Sequence, residues 1–126
     1  MTEEKVEDKE EYEDLAVTGE LVNALPEEER WFVIRDRPYY EQHEQQDGTK
    51  KKKVTIPITL SDGRKGLYYP NRTSERKVAA LAGSNVFKNW IGLCYKWGKL
   101  LDQNVFGEQK KVPYVTERLK DMEQTK

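Results

Sequence analysis

The sequence predicts a mainly β domain with one short helix, its five or six strands closing into a small barrel. Three observations carry this. Val54, Ile56, Ile58 and Leu60 alternate with Thr55, Pro57 and Thr59, which puts four apolar side chains on one face of a strand. A second alternating stretch runs through Ile91, Leu93, Tyr95 and Trp97. Between them only Glu75–Ala82 has the alanine content and the Val78/Leu81 spacing of a helix. An open antiparallel sheet with the helix packed on it is the alternative arrangement of the same elements.

The chain has 126 residues, enough for one domain once a charged tail is set aside. Charged residues make up 36% and hydrophobic residues 36%, so the core must be small, while three Trp argue against a wholly disordered chain. The net charge of -1 hides an asymmetry. Residues 1 to 30 hold 12 Asp/Glu against 3 Lys/Arg, and the remainder holds 19 Lys/Arg against 11 Asp/Glu. A basic body thus carries an acidic arm. The expected division is an acidic disordered tail over 1–16, the β domain over 17–116 and a polar tail over 117–126.

The elements follow in order. Thr2 to Asp14 contains eight carboxylates and only Val6 and Tyr12 as apolar side chains, so it reads as a solvated tail able to compete with a polyanion for the basic body. Val17–Leu25 reads as an edge strand stopped by Pro26, and Trp31–Ile34 as a strand with core on both faces. Asp47-Gly48 is a hairpin turn between two polar arms, the second holding the run Lys50–Lys53. Pro57 places its strand at an edge or a bulge. Ser61-Asp62-Gly63-Arg64 turns the chain into Gly66–Pro70. Thr73 or Ser74 is the expected helix N-cap and Gly83 the C-cap. A strand begins at Trp90, and a last one covers Lys110–Thr116. The expected core is Val54, Ile56, Ile58, Leu67, Val78, Leu81 and Ile91, with Trp31, Phe32, Phe87 and at least one of Trp90 and Trp97.

Little points to catalysis. His43, the single histidine, lies in the most polar stretch, and Cys94, the single cysteine, excludes an intrachain disulfide and a cysteine metal cluster. No glycine-rich phosphate cradle occurs. We expect no enzyme activity, no cofactor and no metal. The acidic start Met1-Thr2-Glu3-Glu4 is unlike a signal peptide, and no apolar run could span a bilayer, so a cytoplasmic protein without membrane association is expected.

Basic and aromatic residues interleave instead. Single-strand binders use flat rings to stack bases and cations to follow phosphates. The expected stacking residues are Tyr40, Tyr69, Tyr95 and Trp97, and the expected phosphate contacts are Arg35, Arg37, Lys51, Lys52, Arg64, Arg72 and Lys96. Of the pairs Tyr39-Tyr40 and Tyr68-Tyr69, strand geometry turns one ring outward and one inward. The expected partner is single-stranded nucleic acid, DNA ahead of RNA. The alternative is a protein-interaction or assembly subunit, with the aromatics as interface and the acidic tail on a basic partner.

The connector Pro70-Asn71-Arg72-Thr73-Ser74, the short helix, and Asn89-Trp90-Ile91-Gly92 entering a strand resemble small archaeal and phage proteins with OB-like barrels. There, a Pro-Asn-x-Thr-Ser connector opens a helix and Trp-x-Gly starts the next strand. The resemblance covers residues 53–116 and implies an OB-like barrel, an archaeal or viral source and nucleic acid on the open face. The aromatic Cys94–Trp97 strand and the acidic N-terminus depart from that pattern.

Overall fold

The computed structural model of the chain describes residues 15–44, 47–105 and 107–123. The acidic run before Leu15 lies outside the described residues. Seven strands form one curled sheet around a short helix, a half-barrel open between its two edge strands. The strands are β1 (Leu15–Val17), β2 (Trp31–Ile34), β3 (Tyr39–Glu44), β4 (Lys50–Leu60), β5 (Lys65–Tyr68), β6 (Cys94–Val105) and β7 (Glu108–Arg118). Two α-helices, α1 (Gly19–Ala24) and α2 (Arg72–Ala82), and three short 3₁₀ turns complete the described residues. The sheet order is β1-β5-β4-β2-β6-β7, with β3 also on β4, so the protein is mainly β as expected. Among the described residues no helix is long and apolar enough to cross a membrane.

The centre is β4, buried from Val54 to Ile58 on both faces. It is a long strand that changes partners along its length. Its first half pairs with β3, from Glu44↔Lys50 to Tyr39↔Thr55. Its second half pairs with β2 through Ile34↔Ile58, Val33↔Thr59 and Phe32↔Leu60, and with β5 on its other edge. Arg35 N–H donates to the Pro57 carbonyl at 3.0 Å, and residues 36–38 then bulge before β3 begins. Pro57 has no N–H to offer, and it stands where the ladder passes from β2 to β3 and needs none.

The core fills the concave side. Phe32 packs against Trp97, Tyr68 and Tyr95 at centroid distances of 4.5, 5.4 and 5.9 Å. Ile34, Ile56, Ile58, Leu60, Val78 and Trp90 close around these rings, all essentially inaccessible. Side chains of this size are each stabilised by about 1.5–3 kcal/mol on burial. The expected core members Leu67, Leu81, Ile91, Trp31 and Phe87 are instead half-buried, because they line the convex face or the helix margin.

Both helices pack on β7. The Thr18 hydroxyl caps α1 by accepting from Leu21 N–H at 3.1 Å, and Val22 is buried. The expected edge strand over Val17–Leu25 is therefore mostly helix: only Val17 and its two predecessors pair, in parallel, with β5. Asn71, not Thr73 or Ser74, caps α2, its Oδ1 accepting from Ser74 N–H at 2.7 Å. Asn71 has the extended backbone of a cap, φ -72° and ψ 171°, and its short amide reaches the Ser74 N–H, whereas Thr73 already lies inside the helix. Gly83 ends α2 in the left-handed conformation at φ 71°, as expected.

The strand expected to begin at Trp90 begins at Cys94. Phe87–Trp90 form a 3₁₀ turn, and Gly92 at φ 91° breaks extension before β6 can start. At the other end β7 runs through Arg118, whose guanidinium pairs with Glu123 at 2.6 Å, so structure continues beyond Thr116.

Candidate nucleic-acid interface

Two adjoining depressions follow α2. The first lies between the root of the β3–β4 hairpin and the first turn of α2, with a volume of about 510 Å³. Its lining includes Lys51, Lys52, Lys53, Arg72 and Arg76, with Glu75 as the one carboxylate and Tyr40 as the one ring. The local folding reasons are direct. Val54 is buried and fixes the hairpin root to the core, so the lysines just before it overhang the helix. Pro70 and Asn71 start α2 at the same level, which brings Arg72 and, one turn on, Arg76 to face them. The free N–H groups of the first helical turn add to this positive potential.

The second depression, of about 670 Å³, is floored by Ala79, Ala80 and Gly83 and walled by Phe87 and Trp90. Tyr40, Glu75 and Arg76 line both, so the two are continuous. Tyr40 packs on Phe87 at 5.4 Å, and Phe87 is backed by the buried Trp90 at 5.0 Å. Trp90 is locked by donating from Nε1 to the Ser84 carbonyl at 2.8 Å, and Ser84 Oγ accepts from Val86 N–H and Asn89 Nδ2. Tyr40, by contrast, is 60% exposed.

Of the expected contacts, Tyr40, Lys51, Lys52 and Arg72 come together here. The others do not. Tyr69 lies beside Glu41 and Tyr39; burial first, then the Glu41 charge, raises its pKa. Alternation along β3 puts Glu41 on the opposite face of the hairpin from Tyr40. Arg35 donates from Nε to the Ile58 carbonyl at 3.2 Å and lines a separate depression with Trp31, Val33 and Ile91. Arg64 pairs with Asp62 at 2.8 Å within the β4–β5 turn. Arg37 is exposed on the bulge after β2, outside the groove lining. Lys96 lies between Trp31 and Glu117, in a depression that also holds Glu27, Glu28 and Asp121.

Tyr95 and Trp97 are corrections. Both are buried, at 0% and 1% exposure, and no base can stack on them. Tyr95 OH donates to the Val78 carbonyl at 2.9 Å, tying β6 to α2. Trp97 stands edge-on to Tyr68 at 5.4 Å, and register shifts on both sides of it bend β6 so that the indole turns inward. The paired-tyrosine expectation holds for Tyr68-Tyr69, with Tyr68 buried and Tyr69 half-buried, but Tyr39 and Tyr40 are both exposed because β3 overhangs the barrel.

The sequence reading gave Arg76 and Glu75 no binding role and placed Phe87 in the core. Arg72 and Arg76 carry a helical i, i+4 spacing that could have flagged Arg76; for Phe87 there is no local signal. No protein-family model, curated protein or solved structure matches the chain.

Proposed function

We propose that this protein binds single-stranded nucleic acid, without catalysis, in the groove between the β3–β4 hairpin and α2. The observation that carries the proposal is the exposed Tyr40 ring beside Lys52, Arg72 and Arg76, with Lys51 and Lys53 at the rim of the same depression. Cations at this density attract any polyanion, and the ring adds an interaction that only an unstacked base can use.

The test is fluorescence anisotropy with short labelled DNA and RNA oligonucleotides, single-stranded and duplex, at ~50 and ~200 mM salt. Single strands should bind more tightly than duplex, with log K falling against log salt at a slope of about -3 for four or five neutralised phosphates. The double variant Lys52→Glu/Arg72→Glu should bind at least ~30-fold more weakly at low salt. Absence of binding at low salt, or equal binding by the double variant, would refute the proposal.

A further inference from the structure

We infer that the second depression is a pocket for one unpaired base and that Glu75 makes it prefer guanine. This rests on the single-strand reading of the adjoining groove, and takes it from backbone tracking to base recognition.

The pocket has the makings of a base site. Its volume lies in the ~300–1,000 Å³ range of small-ligand sites, and it opens directly from the cationic groove through Tyr40, Glu75 and Arg76. A strand whose phosphates follow Lys51, Lys52 and Arg72 therefore passes its bases over the Tyr40 ring toward Phe87. The floor is made of Ala79, Ala80 and Gly83, small enough to let a flat ring lie against the helix. The walls are rigid: Phe87 packs on Trp90, and Trp90 is fixed to the Ser84 carbonyl.

Glu75 is the discordant residue. A carboxylate beside Lys52, Arg72 and Arg76 weakens phosphate binding, so backbone attraction alone gives no reason for it. Its place in the first turn of α2 favours the helix, but so would any acid on the outer side of that turn. Ionised Glu is an acceptor only, with two oxygens side by side. Guanine presents two adjacent donors, N1–H and N2–H, on its Watson–Crick edge and can bond both oxygens at once. Adenine and cytosine each place a ring-nitrogen acceptor next to their amino group, and thymine places carbonyls on both sides of its N3–H. Those acceptors repel the carboxylate.

The experiment compares four strands of equal length in anisotropy titrations of the full chain: all thymine, and the same with a single central guanine, inosine or abasic position. A single guanine avoids self-association of the strand. The wild type should bind the guanine strand about tenfold more tightly than all thymine. Inosine, which keeps N1–H but lacks the 2-amino group, should fall between. Glu75→Gln should erase the guanine preference and tighten thymine binding, since the carboxylate that opposes the phosphates is gone. Ala80 is exposed on α2, and Ala80→Leu keeps a good helix former while filling the pocket; it too should erase the preference and leave the salt slope of the thymine strand unchanged. Equal affinity for all four strands, with thymine binding intact, overturns the pocket and leaves the groove proposal standing. A guanine preference that survives Glu75→Gln overturns the role of Glu75. No binding to any strand at low salt overturns both.

Discussion

The backbone N–H of Val115 donates to Oγ of Ser74 at 3.1 Å, across 41 residues of chain. Both groups are buried, and the bond fixes α2 to β7, one of the two open edges of the half-barrel. The hydroxyl does for β7 what a neighbouring strand would do, supplying an acceptor to an edge N–H that no longer meets water. Among the described residues the hydroxyl of Tyr68 and the indole N–H of Trp97 are buried nearby without a hydrogen-bond partner, and burial pushes Tyr68 up to about 12. Ser74→Ala should cost about 1–3 kcal/mol, because the Val115 N–H is then buried without an acceptor. Thr73→Ala, at an exposed neighbour, should cost under ~0.5 kcal/mol. Urea denaturation midpoints at unchanged m-value measure both; equal effects would rule out the Ser74 bond as a strut.

Gly19 opens α1 against β7. A Cβ there would lie 1.7 Å from the Lys111 carbonyl oxygen and 2.5 Å from its carbon, both backbone atoms that cannot swing away. Alanine in place of glycine usually strengthens a helix by up to about 1 kcal/mol. Here the sign should reverse: Gly19→Ala should lower stability by about 1–3 kcal/mol as α1 lifts from β7. A thermal unfolding midpoint that rises in the variant would contradict the close approach.

Glu123 joins the C-terminal segment to the start of β6. Its carboxylate accepts from Arg118 Nε at 2.6 Å and Nη2 at 3.0 Å, and from Cys94 N–H at 3.2 Å. Burial opposes the charged form, but the bonds from Arg118 and Cys94 outweigh it and hold the carboxyl below its ordinary 4.5. A carboxyl depressed in the folded state contributes stability that is fully present above the unfolded value and is lost as pH falls through the folded one. Glu123→Gln should therefore destabilise at pH 7, and its difference from wild type should shrink as pH falls below about 4.5. Denaturation curves at three pH values decide this; a pH-independent difference would mean the charge is irrelevant.

The same neighbourhood shields Cys94, which is fully buried. Burial, then the Glu123 charge, pushes its thiol up to about 12, so at pH 8 almost no thiolate exists in the folded protein. A disulfide-exchange reagent should label Cys94 only at the rate at which the protein opens, rising steeply through the urea transition. Rapid stoichiometric labelling of the native protein would place Cys94 outside the core.

How far these features could be read in the sequence depended on how local their causes are. The alternation of Val54 to Leu60 and the Gly83 cap are properties of a few neighbouring residues, and both are found as expected. The region Val17–Leu25 was misassigned although its apolar residues Val17, Leu21, Val22 and Leu25 already have helical spacing behind the capping Thr18. Tyr95 faces inward in regular register, its hydroxyl bound to the Val78 carbonyl of α2, and the direction of Trp97 is set by the register shifts around it, which no side-chain pattern announces. The lysine run and Arg72 were legible as charge. That they share a groove depends on β3–β4 lying alongside α2, a tertiary relation that no spacing encodes.

Tyr40 and Tyr69 provide the sharpest test of the groove, since both are tyrosines at the margin of the same hairpin and only one faces the cations. Tyr40 is 60% exposed, leans on Phe87 and lines the basic groove; Tyr69 is half-buried beside Glu41 on the other face. A base stacked on an exposed ring is worth about 1–3 kcal/mol. Tyr40→Ala should thus weaken single-strand binding by about tenfold, and Tyr40→Trp should retain or improve it. Neither should alter the salt slope, because the ring neutralises no phosphate. Tyr69→Ala should leave affinity unchanged. Anisotropy titrations of the three variants at two salt concentrations separate stacking from charge: a loss at Tyr69 equal to that at Tyr40 would move the interface to the opposite face of the hairpin, where Glu41 would oppose the phosphates.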